Sequence, residues 1–104
     1  MSSNSMGKNF AKFKATGNPV YLAKTIQLLM HQRRTREFMY GVYCHLFHPP
    51  SKVKPHLHHP LNDMLETAQP FLVSKDILYK KDLIELFRAI REIDNVRQGL
   101  WLST

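Results

Sequence analysis

Cysteine and histidine side chains are concentrated in the middle of the chain, between residues 44 and 59. Cys44 and His48 are four residues apart and would share one face of a helix, and His56 and His58 follow in a proline-rich stretch. Zinc binds thiolate and imidazole ligands in a tetrahedral set, which a helical pair and a loop pair could supply. Zinc sites usually contain several cysteines, whereas this chain has one. We expect no resident metal or cofactor, and these four residues are the candidates if the chain is a small zinc-binding regulator.

The same cysteine could act as a nucleophile with a histidine base. Such chemistry needs an oxyanion hole or a glycine-rich turn, and none of the four glycines belongs to a phosphate-cradling motif. The carboxylate pairs Asp63/Glu66 and Asp82/Glu85 are three residues apart on amphipathic segments, which is typical of solvated helix faces. The sequence therefore predicts that the chain is not an enzyme.

Basic residues are concentrated at the start of the chain. Residues 1–36 contain seven lysines and arginines and no acidic residue, whereas residues 37–104 contain eight of each sign. The whole net charge of +7 thus lies in the first third. Lysine and arginine bind phosphate without reading sequence, and basic arms commonly become ordered on RNA. The predicted contacts to RNA or an acidic partner are Lys8, Lys12, Lys14, Lys24, Arg33, Arg34 and Arg36.

Residues 18–48 form the main apolar stretch. Asn18 followed by Pro19 predicts a helix start, because the Asn side chain can accept from the first-turn N–H groups and proline loses no useful donor there. Apolar residues recur at helical spacing from Leu22 to Leu29. The prolines at 49 and 50 predict that the helical segment ends at His48.

An unbroken helix over this stretch would place Arg33 and Arg36 on its apolar stripe. We therefore predict a kink or a break near residues 33–35. Thr35 would cap the second helix, and Glu37 would lie in its first turn, where a negative charge is favoured.

Residues 49–60 contain four prolines and three histidines and are expected to form an extended linker. A short helix over 61–69 would follow and end before Pro70. Its buried side would be formed by Leu61, Met64, Leu65 and Ala68.

A long helix is predicted over 74–98, with Ser74 as its N-cap, Asp76 in its first turn and Gly99 just beyond its end. Its apolar residues alternate steps of four and three, the seam of a helix that packs lengthwise on another helix. Trp101, in a tail over 99–104, would fold back or insert into a neighbour, since tryptophan is enriched at interfaces. The predicted protein-docking residues are Tyr79, Leu83, Leu86, Ile90, Ile93 and Trp101.

Residues 1–17 are rich in serine, basic and free of acidic residues, with Phe10 and Phe13 three apart. This composition is typical both of a basic arm and of an uncleaved mitochondrial targeting segment, and the lack of arginine in these residues counts against the targeting interpretation. One cysteine allows no internal disulfide, which fits the mitochondrial matrix or another reducing compartment. No apolar run approaches the roughly 20 residues that span a bilayer, although peripheral membrane contact remains open.

Together these features predict an all-α protein with one domain over 18–104. It would have two long helical segments, the first kinked or broken, a short helix, a Pro/His-rich linker and an extended basic arm. The expected function is a non-catalytic structural subunit of a large assembly, a mitochondrial ribosomal protein that contacts rRNA and neighbouring proteins. The alternatives are a soluble accessory subunit of a respiratory-chain or ATP-synthase complex, and the zinc-binding regulator.

Overall fold

The computed structural model describes residues 2–47, 60–73 and 78–102, with side chains for 7–47, 60–73 and 78–97. These ranges contain five α-helices: α1 (Ser2–Thr16), α2 (Pro19–Leu29), α3 (Arg36–Phe47), α4 (Leu61–Leu72) and α5 (Lys80–Leu102). Their extended backbone is limited to one isolated parallel bridge between Val73 and Leu78. The all-α prediction is confirmed. The architecture of two long segments and a short helix is not matched: the described residues form five helices, because the first segment is divided into α2 and α3 and the expected extended arm is helix α1.

The predicted extended arm is instead helix α1, and it packs on α2. Phe10 is only 6% exposed and belongs to the core, and Phe13 packs against that core from its edge. Gly17 ends the helix in the left-handed region (φ 70°), and its N–H donates to the Phe13 carbonyl oxygen at 2.7 Å. A polar 15-residue segment is a weak helix on its own, so burial of Phe10 is the stabilisation that the sequence did not reveal.

Helix α2 begins as predicted. Asn18 has extended backbone angles, and its Oδ1 accepts from the Val20 N–H at 3.0 Å, with Pro19 in the first turn. Leu22 and Ile26 are completely buried, which confirms the predicted apolar face.

The break after α2 is also confirmed. Helix α2 ends at Leu29, residues 30–35 form turns, and α3 begins at Arg36 with Glu37 in its first turn. The chain thus changes direction before the arginines would enter the apolar stripe. The predicted end of this stretch at His48, like the linker over residues 48–59, lies outside the described residues.

The turn is held by hydrogen bonds from both sides. The Thr35 carbonyl accepts from the Met39 N–H at 2.8 Å, as expected of the residue before a helix. The Thr35 hydroxyl donates to the Gln32 carbonyl at 3.5 Å, so its observed bond lies on the turn and not on the α3 N–H groups. Arg36 Nε donates to the Met30 carbonyl at 3.3 Å, which places a cation at the negative end of α2.

Helix α4 extends beyond its predicted end and contains Pro70. The four predicted core positions are buried, and so is Leu72. Proline at position 70 removes one donor to the Glu66 carbonyl, close to the helix end. Burial of Leu72 outweighs that loss, and the helix continues for two residues past the proline.

Helix α5 begins and ends later than predicted. It starts at Lys80, after Tyr79, and continues through Gly99 and Trp101, so the predicted stop at Gly99 is wrong. Asp82 provides the first-turn acid. The predicted N-cap Ser74 and the acidic Asp76 lie outside the described residues.

The core is built mainly from contacts between successive helices, with α5 lying against α3 and α4. This differs from the predicted lengthwise pairing of two long segments. Among the helices described, none has both the length and the apolar character needed to cross a bilayer. The completely or almost completely buried large side chains are Leu22, Ile26, Leu29, Met39, Val42, Leu46, Met64, Leu65, Leu72, Leu83, Leu86 and Ile90.

Candidate nucleic-acid interface

Two lysines meet at the packed seam between α1 and α2. Lys12 Nζ lies 5.6 Å and Lys24 Nζ 5.7 Å from the centroid of the Tyr21 ring. Both distances are within the range of cation–π contact, so one aromatic ring holds both ammonium groups near the seam. Lys8 is exposed one helical turn before Lys12 and shares its face of α1.

The positive surface continues along α2. Lys24 and His31 line one recess between α1 and α2, together with Asn9 and Gln27. Gln27 and His31 also line a larger groove at the end of α2. Because the two depressions share residues, the lysines of the helix seam and the arginines of the turn lie along one continuous surface.

The groove lies where α2 ends and α3 begins, and it has a volume of about 780 Å³. Arg33 and Arg36 line it together with His31, and Met30 and Tyr40 form its apolar part. The Tyr40 side chain is 43% exposed. Cations and an exposed aromatic ring thus share one concave site.

Two of the predicted contact residues lie elsewhere. Lys14 Nζ is 3.2 Å from Glu85 Oε2 of α5 and 4.9 Å from the centroid of the Phe10 ring. The Arg34 guanidinium lies 5.7 Å from the centroid of the Phe71 ring on α4. Lys14 and Arg34 are therefore set apart from the other five of the seven predicted contact residues. We call the remaining five the basic surface: Lys8, Lys12, Lys24, Arg33 and Arg36.

Cys44, one helical turn after Tyr40, raises the pKa of the Tyr40 hydroxyl. A hydrogen bond with the Cys44 side chain, and repulsion between the phenolate and an ionised Cys44, raise the pKa of the Tyr40 hydroxyl above its usual 10.0. A tyrosine hydroxyl with the usual pKa is already neutral at physiological pH and the shift is upward, so Tyr40 carries no charge that would repel an anion in the groove. Cys44 itself is buried.

Most of the predicted protein-docking residues are used inside the chain. Leu83, Leu86 and Ile90 are core residues, and Ile93 packs partly buried against them. Tyr79 is 68% exposed. The side chain of Trp101 lies outside the described residues, so its docking role stays a prediction.

An exposed apolar patch surrounds the junction of α4 and α5, and sequence reasoning missed most of it. Phe71 and Val73 at the end of α4 are exposed, as is Tyr79 before α5. The bridge from Val73 to Leu78 brings the two helix ends together. The run Phe71–Val73, directly after Pro70, is the sequence signal that could have indicated this patch.

A polar cluster that the sequence did not indicate joins α3, α4 and α5. His45 Nε2 lies 2.7 Å from Asp94 Oδ1, and Arg91 Nε donates to Asn62 Oδ1 at 2.8 Å. Burial lowers the pKa of Arg97, and the charge of Asp94 opposes that shift. These contacts tie helices together and provide no nucleophile.

The zinc candidates are not brought together within the described residues. No group of three or more His, Cys, Asp or Glu side chains in these ranges has a metal-binding arrangement. His48, His56 and His58 lie outside them, so the zinc hypothesis around Cys44 stays a prediction.

The basic surface and its groove are consequently the features from which function has to be argued. They are described entirely by side chains of α1, α2, α3 and the turn over 30–35. No protein-family model matches the chain, and no significant match to it is found among curated proteins or solved structures.

Proposed function

We propose that the protein is a non-catalytic structural subunit of a large assembly, the mitochondrial ribosome, and that its basic surface contacts ribosomal RNA. The observation that supports this proposal is the continuity of exposed cations from α1 through α2 to the turn before α3. Residues 1–36 contain no acidic side chain, and Glu37, which follows them directly, lines the groove beside Arg33 and Arg36. Such a surface binds a phosphate backbone by charge and by release of counterions, without needing a reactive group.

The mitochondrial location is supported by α1. The helix carries lysines on exposed positions and phenylalanines on its packed side, and its sequence is free of acidic residues. Amphipathic, basic and acid-poor helices are typical of mitochondrial targeting. A single buried cysteine fits the reducing matrix.

The proposal is tested by sedimentation of mitochondrial ribosomes from cells that express the tagged full-length chain. The wild type should sediment with a ribosomal subunit, be released by high salt and crosslink to rRNA. The variant Lys12→Glu/Lys24→Glu should be lost from the particle. Its matched control is Lys80→Glu/Lys81→Glu, which makes the same charge change on exposed lysines of α5 and should stay bound. Crosslinking to proteins alone would show that the RNA contact is wrong.

The exposed patch of Phe71, Val73 and Tyr79 favours a second candidate, an accessory subunit of a respiratory-chain or ATP-synthase complex. Apolar side chains at a helix junction suit a protein neighbour. The basic surface would then face acidic protein or anionic lipid headgroups. Migration with such a membrane complex on a native gel, and not with rRNA, would favour this candidate over the first.

A further inference from the structure

The groove at the end of α2 differs from the neighbouring recess between α1 and α2 because it is larger and brings two arginines together with the Tyr40 ring. A flat row of cations is sufficient to bind the backbone of an RNA duplex. The groove, at about 780 Å³, falls within the roughly 300–1,000 Å³ of small-ligand pockets. A depression of this volume, open to solvent, is large enough to receive a group the size of a nucleotide.

The chemistry of the groove identifies the class of occupant. Arg33 lines the groove, and Arg36 keeps guanidinium N–H donors beyond the one that its Nε gives to Met30, so both can donate to a phosphate. Tyr40 presents a neutral aromatic ring that is 43% exposed. The bases of single-stranded nucleic acids stack on such rings.

Polar groups at the edge of the groove suit a base as well. Gln27 and Glu37 both line it, and between them they offer an amide donor and carboxylate and carbonyl acceptors. Paired bases keep their hydrogen-bonding edges inside the helix, whereas the bases of loops and bulges are available for such contacts.

Resting on the RNA contact proposed above, we infer that this groove holds an unstacked nucleotide of single-stranded RNA. Its base lies against Tyr40, and its phosphate lies between Arg33 and Arg36. The protein thus recognises a loop or a bulge, and the lysines of α1 and α2 follow the adjoining backbone.

The test measures binding of the full-length protein to fluorescein-labelled oligo(uridylate), oligo(adenylate) and the duplex that the two strands form. The single strands should bind more tightly than the duplex. Tyr40→Ala should weaken single-strand binding roughly 5- to 160-fold, since stacking contributes about 1–3 kcal/mol per base. Tyr40→Phe, which keeps the ring, should bind like the wild type. Tyr79→Ala removes a more exposed aromatic residue outside the groove and should change nothing.

The neighbouring arginines form a second matched pair. Arg33→Ala should weaken binding, whereas Arg34→Ala should change it little, because Arg34 lies over Phe71 and away from the groove. Thermal unfolding of each variant checks that the fold is retained.

Several results would overturn the inference. One is that Tyr40→Ala binds single strands as tightly as the wild type does, and another is that the duplex binds more tightly than the single strands. A third is that polyglutamate displaces the labelled RNA as well as unlabelled RNA does, which would indicate an acidic protein partner. If Tyr40→Ala binds normally while Lys12→Glu/Lys24→Glu does not, the groove inference fails and the proposed RNA contact stands. If the wild type binds none of these RNAs and is also absent from ribosomes, both fail.

Discussion

His45 Nε2 lies 2.7 Å from Asp94 Oδ1, and this contact joins α3 to α5 across 49 residues of sequence. The His45 and Asp94 side chains are 28% and 15% exposed. Lys14 and Glu85 form an ion pair between α1 and α5, and their side chains are 52% and 38% exposed. The two pairs allow polar contacts between helices to be compared at different burial.

We expect the His45–Asp94 pair to stabilise the fold more than the exposed pair. A double-mutant cycle with His45→Ala and Asp94→Ala should give a coupling energy of about 1 kcal/mol. The cycle with Lys14→Ala and Glu85→Ala should give a few tenths of a kcal/mol, because water screens exposed charges. Urea unfolding measures both. Equal coupling energies would contradict this ranking.

Phe10→Ala should lower the free energy of unfolding by about 3 kcal/mol, because it removes a buried ring and leaves a cavity. Lys8→Ala, on the exposed face of the same helix, should change it by less than about 0.5 kcal/mol. Urea unfolding compares the two. If residues 1–17 were instead a solvated arm, Phe10→Ala and Lys8→Ala would change the free energy of unfolding equally little, which would contradict the prediction.

Pro70→Ala should stabilise the protein by up to about 3 kcal/mol, because alanine restores a backbone donor and removes the clash of the ring inside α4. Thr67→Ala, at another exposed position of α4, should change stability by about 0.5 kcal/mol or less. Thermal unfolding of the two variants measures the difference. A destabilised Pro70→Ala protein would indicate that the proline is needed by the fold.

Lys12→Ala and Lys14→Ala remove the same charge two residues apart, yet they should differ in RNA binding. Lys12 lies on the basic surface, so its loss should reduce the slope of log K against log[salt] by about 0.7 for single-stranded RNA. Lys14 is paired with Glu85 and should change the slope less. Titrations with oligo(uridylate) at several salt concentrations measure both slopes. Identical slopes would show that position on the surface does not matter.

Cys44→Ala should lower the pH at which Tyr40 loses its proton, because the thiol raises the pKa of that hydroxyl. The raised pKa means that the folded state holds the proton more tightly. This contribution to stability is complete below the usual pKa of 10.0 and is lost as the pH rises through the folded value. NMR titration of the Tyr40 ring measures the change. In urea, the wild type and the variant should titrate alike.

Several local signals were read correctly from the sequence alone, whereas the predicted helix stops at Pro70 and Gly99 were wrong. The Asn18 cap and the break before Arg36 depend on hydrogen bonds and turns within a few residues, and the adjacent residue types specify them. The apolar faces of α2 and α4 were found for the same reason, since their periodicity is visible in the chain. The cluster of charge in residues 1–36 likewise needs no structure to be seen.

The sequence by itself thus determined an all-α chain, several helix starts and a basic first third. Only the tertiary structure decided that Phe10 is buried, which turns a supposed arm into α1, and that α4 continues through Pro70 to Leu72. Only the tertiary structure showed that Lys12 lies on the basic surface while Lys14 pairs with Glu85. It also showed that Arg33 lines the groove while Arg34 lies over Phe71. The physical reason is that these outcomes depend on which helix face meets which neighbour, and contacts between residues far apart in sequence leave no periodic or local signal.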